Sequence, residues 1–314
     1  MRASDRVSSG APLVSMTGRH DPFLRLYWGC AVILAAATIL TSSTLLALAA
    51  IILFGLPHGA LDGEMARQIL RPRYGAAWFI LFALPYLALL ALVLVLWRLY
   101  PPATLTGFLA LSLWHFGSET RENGTPILSA LVWGGASLIL PSVFHPAATA
   151  SLLSAMAPPV HLTSPPFWLV WLFPFWVMAA SAWLGATPCE KRLEKLGLLC
   201  GLNAVFVVLP PLQAFMIYFI FQHAPAHVAT LVEDRRWERL VSARAALRYS
   251  LSLTVATLII GALLIPFYTG PMVERLLSLT FQLLAALTLP HMVFDFLTGR
   301  IEEEAQRCSA IRPV

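Results

Sequence analysis

Gly75-Ala-Ala-Trp-Phe-Ile-Leu-Phe-Ala-Leu-Pro-Tyr-Leu-Ala-Leu-Leu-Ala-Leu-Val-Leu-Val-Leu-Trp97 carries no charge, while Arg73 precedes it and Arg98 follows it. Roughly 20 apolar residues are what a helix needs to cross the hydrocarbon of a bilayer. Runs of this kind recur along the chain near 24–41, 43–66, 102–118, 126–144, 166–186, 195–209, 211–231, 248–268 and 275–297. They predict an all-α, polytopic membrane bundle of about ten crossings. The breaks fall at Ser42 and Ser43, at Arg71-Pro-Arg73, at Pro101-Pro102, in a 145–165 loop, at Pro210-Pro211 and at Thr269-Gly-Pro271. No domain boundary or low-complexity segment interrupts the series.

Composition agrees. Of 314 residues, 58% are hydrophobic and 12% charged, with a mean hydropathy of +0.75. Soluble domains carry roughly 25% charged residues, so lipid is the main solvent. The net charge of +5 is no nucleic-acid signal, because the arginines fall in short clusters between apolar runs. Basic residues at 2, 6, 19 and 25, then Arg67/Arg71/Arg73, Arg121, Lys191/Arg192/Lys195, the group from Arg235 to Arg248 and the tail from Arg300 form one set. Arg98 and Arg275 form the other. The sets alternate with each predicted crossing, which places both termini in the cytosol of a bacterial-type inner membrane. Residues 1–22 read as a disordered cytosolic tail, 23–299 as the transmembrane catalytic domain and 300–314 as a second cytosolic tail. The first apolar run lacks a small-residue cleavage site, so no signal peptide is expected, and Met16 is a second possible start. Trp97, Trp168, Trp171 and Trp183 near span ends suit a lipid-facing aromatic belt. The four cysteines show no CxxC spacing and read as apolar fillers or exposed thiols.

Of eight histidines, His20, His145 and His161 fall in a tail or an outer loop. His58, His115, His223, His227 and His291 fall inside predicted spans that all run outside to inside. Counting to the next arginine puts each roughly 9–18 Å below the cytosolic edge, at ~1.5 Å per residue. Ionisable groups at that depth are costly unless paired or ligated, so a layer of them marks a functional site. His223-Ala-Pro-Ala-His227 presents two imidazoles at i and i+4, which suits two ligands of one metal. Asp62, Glu119 and Asp295 each follow a histidine by one helical turn, where a carboxylate can take the other ring N–H and fix the tautomer. Asp62 is accordingly expected to orient His58. Pro57, Pro225 and Pro290 kink the helices at one depth, and Gly55, Gly59 and Gly117 allow close approach of helices or a ligand. Neutral imidazoles without an obligatory carboxylate fit Fe(II), Zn or Cu. Zinc often uses fewer histidines, and copper favours sulfur donors, which the layer lacks, so Fe(II) is the expected metal.

The segments Gly55-Leu-Pro-His-Gly-Ala-Leu-Asp62, Trp114-His-Phe-Gly117, Phe221-Gln-His-Ala-Pro-Ala-His227 and Thr288-Leu-Pro-His-Met292 together resemble the Brp/Blh family of integral-membrane β-carotene 15,15'-dioxygenases, over about residues 45–297. The resemblance implies a non-haem Fe(II) dioxygenase that cleaves β-carotene with O2 into two molecules of all-trans-retinal, with a link to a microbial rhodopsin. It carries the metal ligands onto His58, His115, His223 and His227, and His291 matches a further family motif; Asp62, Glu119 and Asp295 are expected around them from their spacing. Where the family has Trp-His-Ser, this chain reads Gln222-His-Ala224. Phe54, Trp114, Phe116, Phe221, Phe281 and Phe294 are the expected channel walls for an apolar polyene that arrives through the lipid bilayer. Three rival readings remain open on the residues. A desaturase would need an HxxHH box, which is missing. A transporter or proton relay would use the His/Asp layer as an ion path. A b-type cytochrome would show a haem band.

Overall fold

The computed structural model describes residues 21–118 and 126–311, side chains excepted at 118, 126 and 300–311. Among the described residues every regular element is helical. In chain order the α-helices are α1 (Pro22–Thr41), α2 (Thr44–Ala50), α3 (Asp62–Tyr74), α4 (Trp78–Leu99), α5 (Pro101–Ser118), α6 (Pro126–Phe144) and α7 (Pro146–Met156). They continue with α8 (Phe167–Trp171), α9 (Phe173–Ala186), α10 (Cys189–Val208), α11 (Pro211–Tyr218), α12 (Ala224–Glu233), α13 (Ala243–Leu264) and α14 (Met272–Ile311). In the longest apolar stretches, such as α4, leucine and alanine supply helix-forming side chains and an apolar surface on every side, which is what a membrane solvent requires.

Among the described residues, seven runs are long and apolar enough to cross a membrane by length and composition, against the ten crossings expected. One of them, Thr44–Leu99, turns back at Gly75, so that α3 and α4 pack side by side. Two expected crossings, now α5 and α10, are not among the seven. The start of α10, Cys189-Glu-Lys-Arg-Leu-Glu-Lys195, is too charged to count as apolar. The expected 145–165 loop contains α7, which packs against α6 and α14.

Packing is tightest between α5 and α6. A Cβ on Gly117 would lie 1.9 Å from the Ala130 carbonyl oxygen, and one on Gly134 would lie 2.0 Å from that of Leu113. The two backbones therefore touch, as small residues permit in membrane bundles. At the other end of the molecule, Arg98 donates to the Phe267 carbonyl (2.9 Å) and Arg275 to that of Ile265 (2.7 Å). The two basic residues of the sparse set thus satisfy carbonyls just beyond the C-terminus of α13, where a helix end favours cations.

The tryptophan belt needs correction. Trp97 and Trp183 are 2% and 0% exposed, and Trp183 Nε1 donates to Ser129 Oγ (3.0 Å). Trp171 alone of the four is well exposed. For Trp183, α6 supplies the partner that lets the ring pack inward with its N–H satisfied.

Candidate metal centre

The histidines are placed by interruptions of helical structure. After α2 the chain widens into a π-helical turn, Ile51–Gly55, and a second π-turn, Phe219–His223, follows α11. Each ends two residues before a proline, Pro57 and Pro225. Proline lacks an N–H and crowds the carbonyl four residues back, and a π-turn relieves that crowding while leaving carbonyls to be satisfied otherwise. The Gly55 carbonyl accepts both the His58 backbone N–H (3.3 Å) and His58 Nδ1. The two turns face each other, and Gly55 is required there because a Cβ would lie 2.1 Å from the Phe219 ring. Gly59 has no atom within 4 Å of a would-be Cβ and lines a cavity. The third proline, Pro290, stays within α14 without ending it, so the kinks expected at one depth become two broken helices and one continuous one.

The five layer histidines are all buried and converge. Their rings form a closed cycle. Centroid separations are 5.1 Å for His58 and His223, 4.9 Å for His223 and His115, and 5.3 Å for His115 and His291. His291 and His227 are 5.1 Å apart, and His227 and His58 close the cycle at 5.5 Å. His58, His115 and His223 offer ligand atoms within 4.8 Å of one another, as do His227, His291 and Asp295. Nitrogens on one ion sit about 3 Å apart, so modest ring rotations would bring these onto a metal. The donor set is rich in imidazole and free of sulfur, which suits Fe(II), Zn or Cu.

The carboxylates differ from expectation. Asp62 does not serve its chain neighbour His58. Both its oxygens lie near His291 Nδ1 (2.8 and 2.9 Å), and Tyr86 Oη donates to Oδ2 (3.1 Å). The reason is local. Between His58 and Asp62 lies a 3-10 segment, Gly59–Leu61, so a four-residue spacing there does not put two side chains on one face. Asp295 approaches His291 Nε2 at 3.7 Å from its own helix, as expected. Glu119 lies outside the described residues.

A cavity of about 220 Å³ reaches His58, His115 and His291. Its walls are apolar and include Phe79, Phe82, Phe108, Phe116, Phe215 and Phe219, with Tyr86 among them. It runs along α4 from Phe79 to Leu90, roughly 16 Å at 1.5 Å per residue. It lies between α4 and α13, and Phe79 and Leu87 on its rim are half exposed on the apolar outer surface. A smaller cavity, about 30 Å³, touches His58 from the opposite side between α1 and α12.

Of the expected channel walls, Phe116 lines the larger cavity and Phe54 the smaller. Trp114 is 52% exposed, because two positions before Phe116 it projects from the opposite side of the helix. Phe221 packs on Trp28, Phe281 on Phe215 and Phe294 on Phe82, behind the walls rather than in them. Tyr86 and the phenylalanines at 79, 82, 108, 215 and 219 were not legible as site residues. The one signal for Tyr86 is a lone hydroxyl in an otherwise apolar span.

At the end of the bundle that carries Arg235, Arg236 and Arg239, the segment between α12 and α13 closes over α3. Trp237 and Leu240 pack with Leu61 and Met65. Buried Glu64 holds Arg239 (3.1 Å) and Arg67 (3.4 Å). The histidine cluster is thus covered at that end, and the apolar cavity reaches it from the side.

Residues 49–297 match the family described as beta-carotene 15,15'-dioxygenase. A relative named "Beta-carotene 15,15'-dioxygenase", from uncultured marine bacterium 66A03, is 28% identical over 262 residues, covering 80% of this chain and 92% of the relative. No solved structure matches the chain. With its membrane-type helices and its buried histidine cycle, the chain belongs to the β-carotene 15,15'-dioxygenase family of oxidoreductases.

Proposed function

We propose that this chain cleaves the central 15,15' double bond of β-carotene with O2, releasing two molecules of all-trans-retinal, at an Fe(II) centre held by His58, His115, His223 and His227. The observation that carries the reading is a cycle of buried imidazoles at the inner end of an apolar cavity open to the side of the bundle. When bound, Fe(II) supplies the one-electron chemistry that lets O2 react with a closed-shell polyene. The chain's own residues bind and orient. Phe82, Phe108, Phe215 and Phe219 offer a polyene an apolar, π-rich slot. His58 Nδ1 on the Gly55 carbonyl leaves Nε2 as the donor atom of that ring. The Glu64 cluster with Trp237 and Leu240 keeps cytosolic water away. Asp295 and Glu119 act on the histidines one turn before them.

The same reading sets the chain in a bacterial-type inner membrane with ten crossings, α5 and α10 included, and both termini in the cytosol. The 40-residue α14 supports this. At 1.5 Å per residue it is about 60 Å long, twice the roughly 30 Å of hydrocarbon, so it emerges on the side where Arg300 and later residues lie. A reporter active only in the cytosol, fused after residue 311, should be active. The implied partners are β-carotene, O2, the bilayer and a retinal-using microbial rhodopsin. The test is expression in β-carotene-producing cells. β-Carotene should fall and retinal accumulate. Unchanged β-carotene with the chain present in the membrane would overturn the reading.

A further inference from the structure

The cycle has five members, whereas the proposed ligand set has four. His291 is no outlier in it. Its ring is 5.3 Å from His115 and 5.1 Å from His227, within the range of the other neighbouring pairs. It is also anchored through Asp62, which lies on a different helix. Both oxygens of this buried carboxylate approach His291 Nδ1, and Tyr86 on a third helix donates to the carboxylate from the cavity wall. A carboxylate on one ring nitrogen fixes the tautomer, makes the other nitrogen the basic one and turns the ring, as the partners of metal-bound histidines do; that second nitrogen, Nε2, has Asp295 Oδ2 at 3.7 Å, and His291, Asp295 and His227 offer ligand atoms within 4.8 Å of one another. A histidine whose task was only to neutralise Asp62 would have no need to face three other imidazoles, those of His58, His115 and His227.

The sequence adds an independent observation. Leu56-Pro-His-Gly-Ala-Leu-Asp62 and Leu289-Pro-His-Met-Val-Phe-Asp295 share the pattern Leu-Pro-His-x-x-apolar-Asp. One copy supplies a proposed ligand, His58. The acid of that copy crosses the bundle to the histidine of the other. The two copies are thus joined through the contact between Asp62 and His291.

Resting on the metal-centre reading above, we propose that His291 is a fifth imidazole donor to the metal, and that Asp62, held by Tyr86, is its positioning residue. Loss of such a partner typically weakens metal binding by about 10–100-fold.

The test uses the full chain, purified in detergent and loaded with Fe(II), and reads iron per chain and the rate of iron loss to a chelator. His291→Gly should lose iron, and added imidazole should restore retention by filling the space the side chain left. Asp62→Asn should release iron about 10–100-fold faster than the unaltered protein, and Tyr86→Phe should do so to a smaller degree. Wild-type iron retention in His291→Gly would overturn the proposal and leave the four-histidine centre standing. Iron loss that imidazole does not restore, with Asp62→Asn unaffected, would also overturn it, because a structural role would then account for the defect. An unaltered protein that binds no iron would instead bring down the metal-centre reading, and this proposal with it.

Discussion

The α5 and α6 crossing and the gap between α4 and α13 are opposite extremes of the same bundle. At the first, glycines bring two backbones into contact and nothing fits between them. At the second, two long apolar helices stand apart across a cavity lined by aromatic rings. Both are apolar, so hydrophobicity does not separate them. Lipid solvates every such surface equally well, and association then depends on close packing. The side with Gly117 and Gly134 closes, while the side with Phe79, Phe82 and Leu87 cannot interdigitate fully and stays open to the membrane. A rigid wall carries His115, and an open wall admits what reaches it.

The largest effect is expected between the two walls. Alanine at His58, His115, His223 or His227 should abolish β-carotene turnover while insertion into the membrane persists. Near-normal turnover from any one variant, measured on purified protein, would remove that residue from the centre. Next comes the closed wall. Gly117→Val places carbon within 2 Å of the Ala130 carbonyl position, and overpacking costs about 1–3 kcal/mol or more. Thermal unfolding in detergent should show a loss at the top of that range, and an unchanged melting temperature would mean the crossing is looser than described.

The open wall should behave differently. Ala83→Trp and Ala256→Trp fill the cavity between α4 and α13. They should cut kcat/KM for β-carotene roughly tenfold, or about 1.4 kcal/mol, with the melting temperature nearly unchanged. Full activity with either side chain in place would show that substrate does not pass there. Smallest of all is Trp114→Ala. Its exposed ring faces outward beside His115, and surface changes of this kind stay within about 0.5 kcal/mol. A tenfold activity loss would return Trp114 to the channel wall.

Much of this was legible in the sequence because membranes write plainly. Each apolar run read as a crossing corresponds to a helical stretch, and the five histidines within those runs meet. What the sequence concealed depends on backbone geometry between the landmarks. The i, i+4 rule paired Asp62 with His58, but it holds only for α-helix, and the chain there passes through a π-turn and a 3-10 turn. The rule succeeded for His291 and Asp295, where α14 continues through Pro290. Flanking residues account for the contrast. Gly55 and Gly59 bracket Pro57 and loosen the helix, whereas Thr288 and Met292 bracket Pro290, and Thr288 Oγ1 bonds the Leu284 carbonyl (2.7 Å). Which aromatics line the cavity was hidden for a related reason. Phe116 and Trp114 differ by two positions and point to opposite sides, and only the direction of the neighbouring helix tells which is inside.

The most direct measurement is product stoichiometry. Purified protein in lipid nanodiscs, supplied with Fe(II), O2 and β-carotene, should form two molecules of retinal for each β-carotene consumed, and the His115→Ala variant should form none. One retinal or fewer per β-carotene, with apocarotenals of other lengths, or retinal formation by the His115→Ala variant, would contradict central cleavage at the histidine centre.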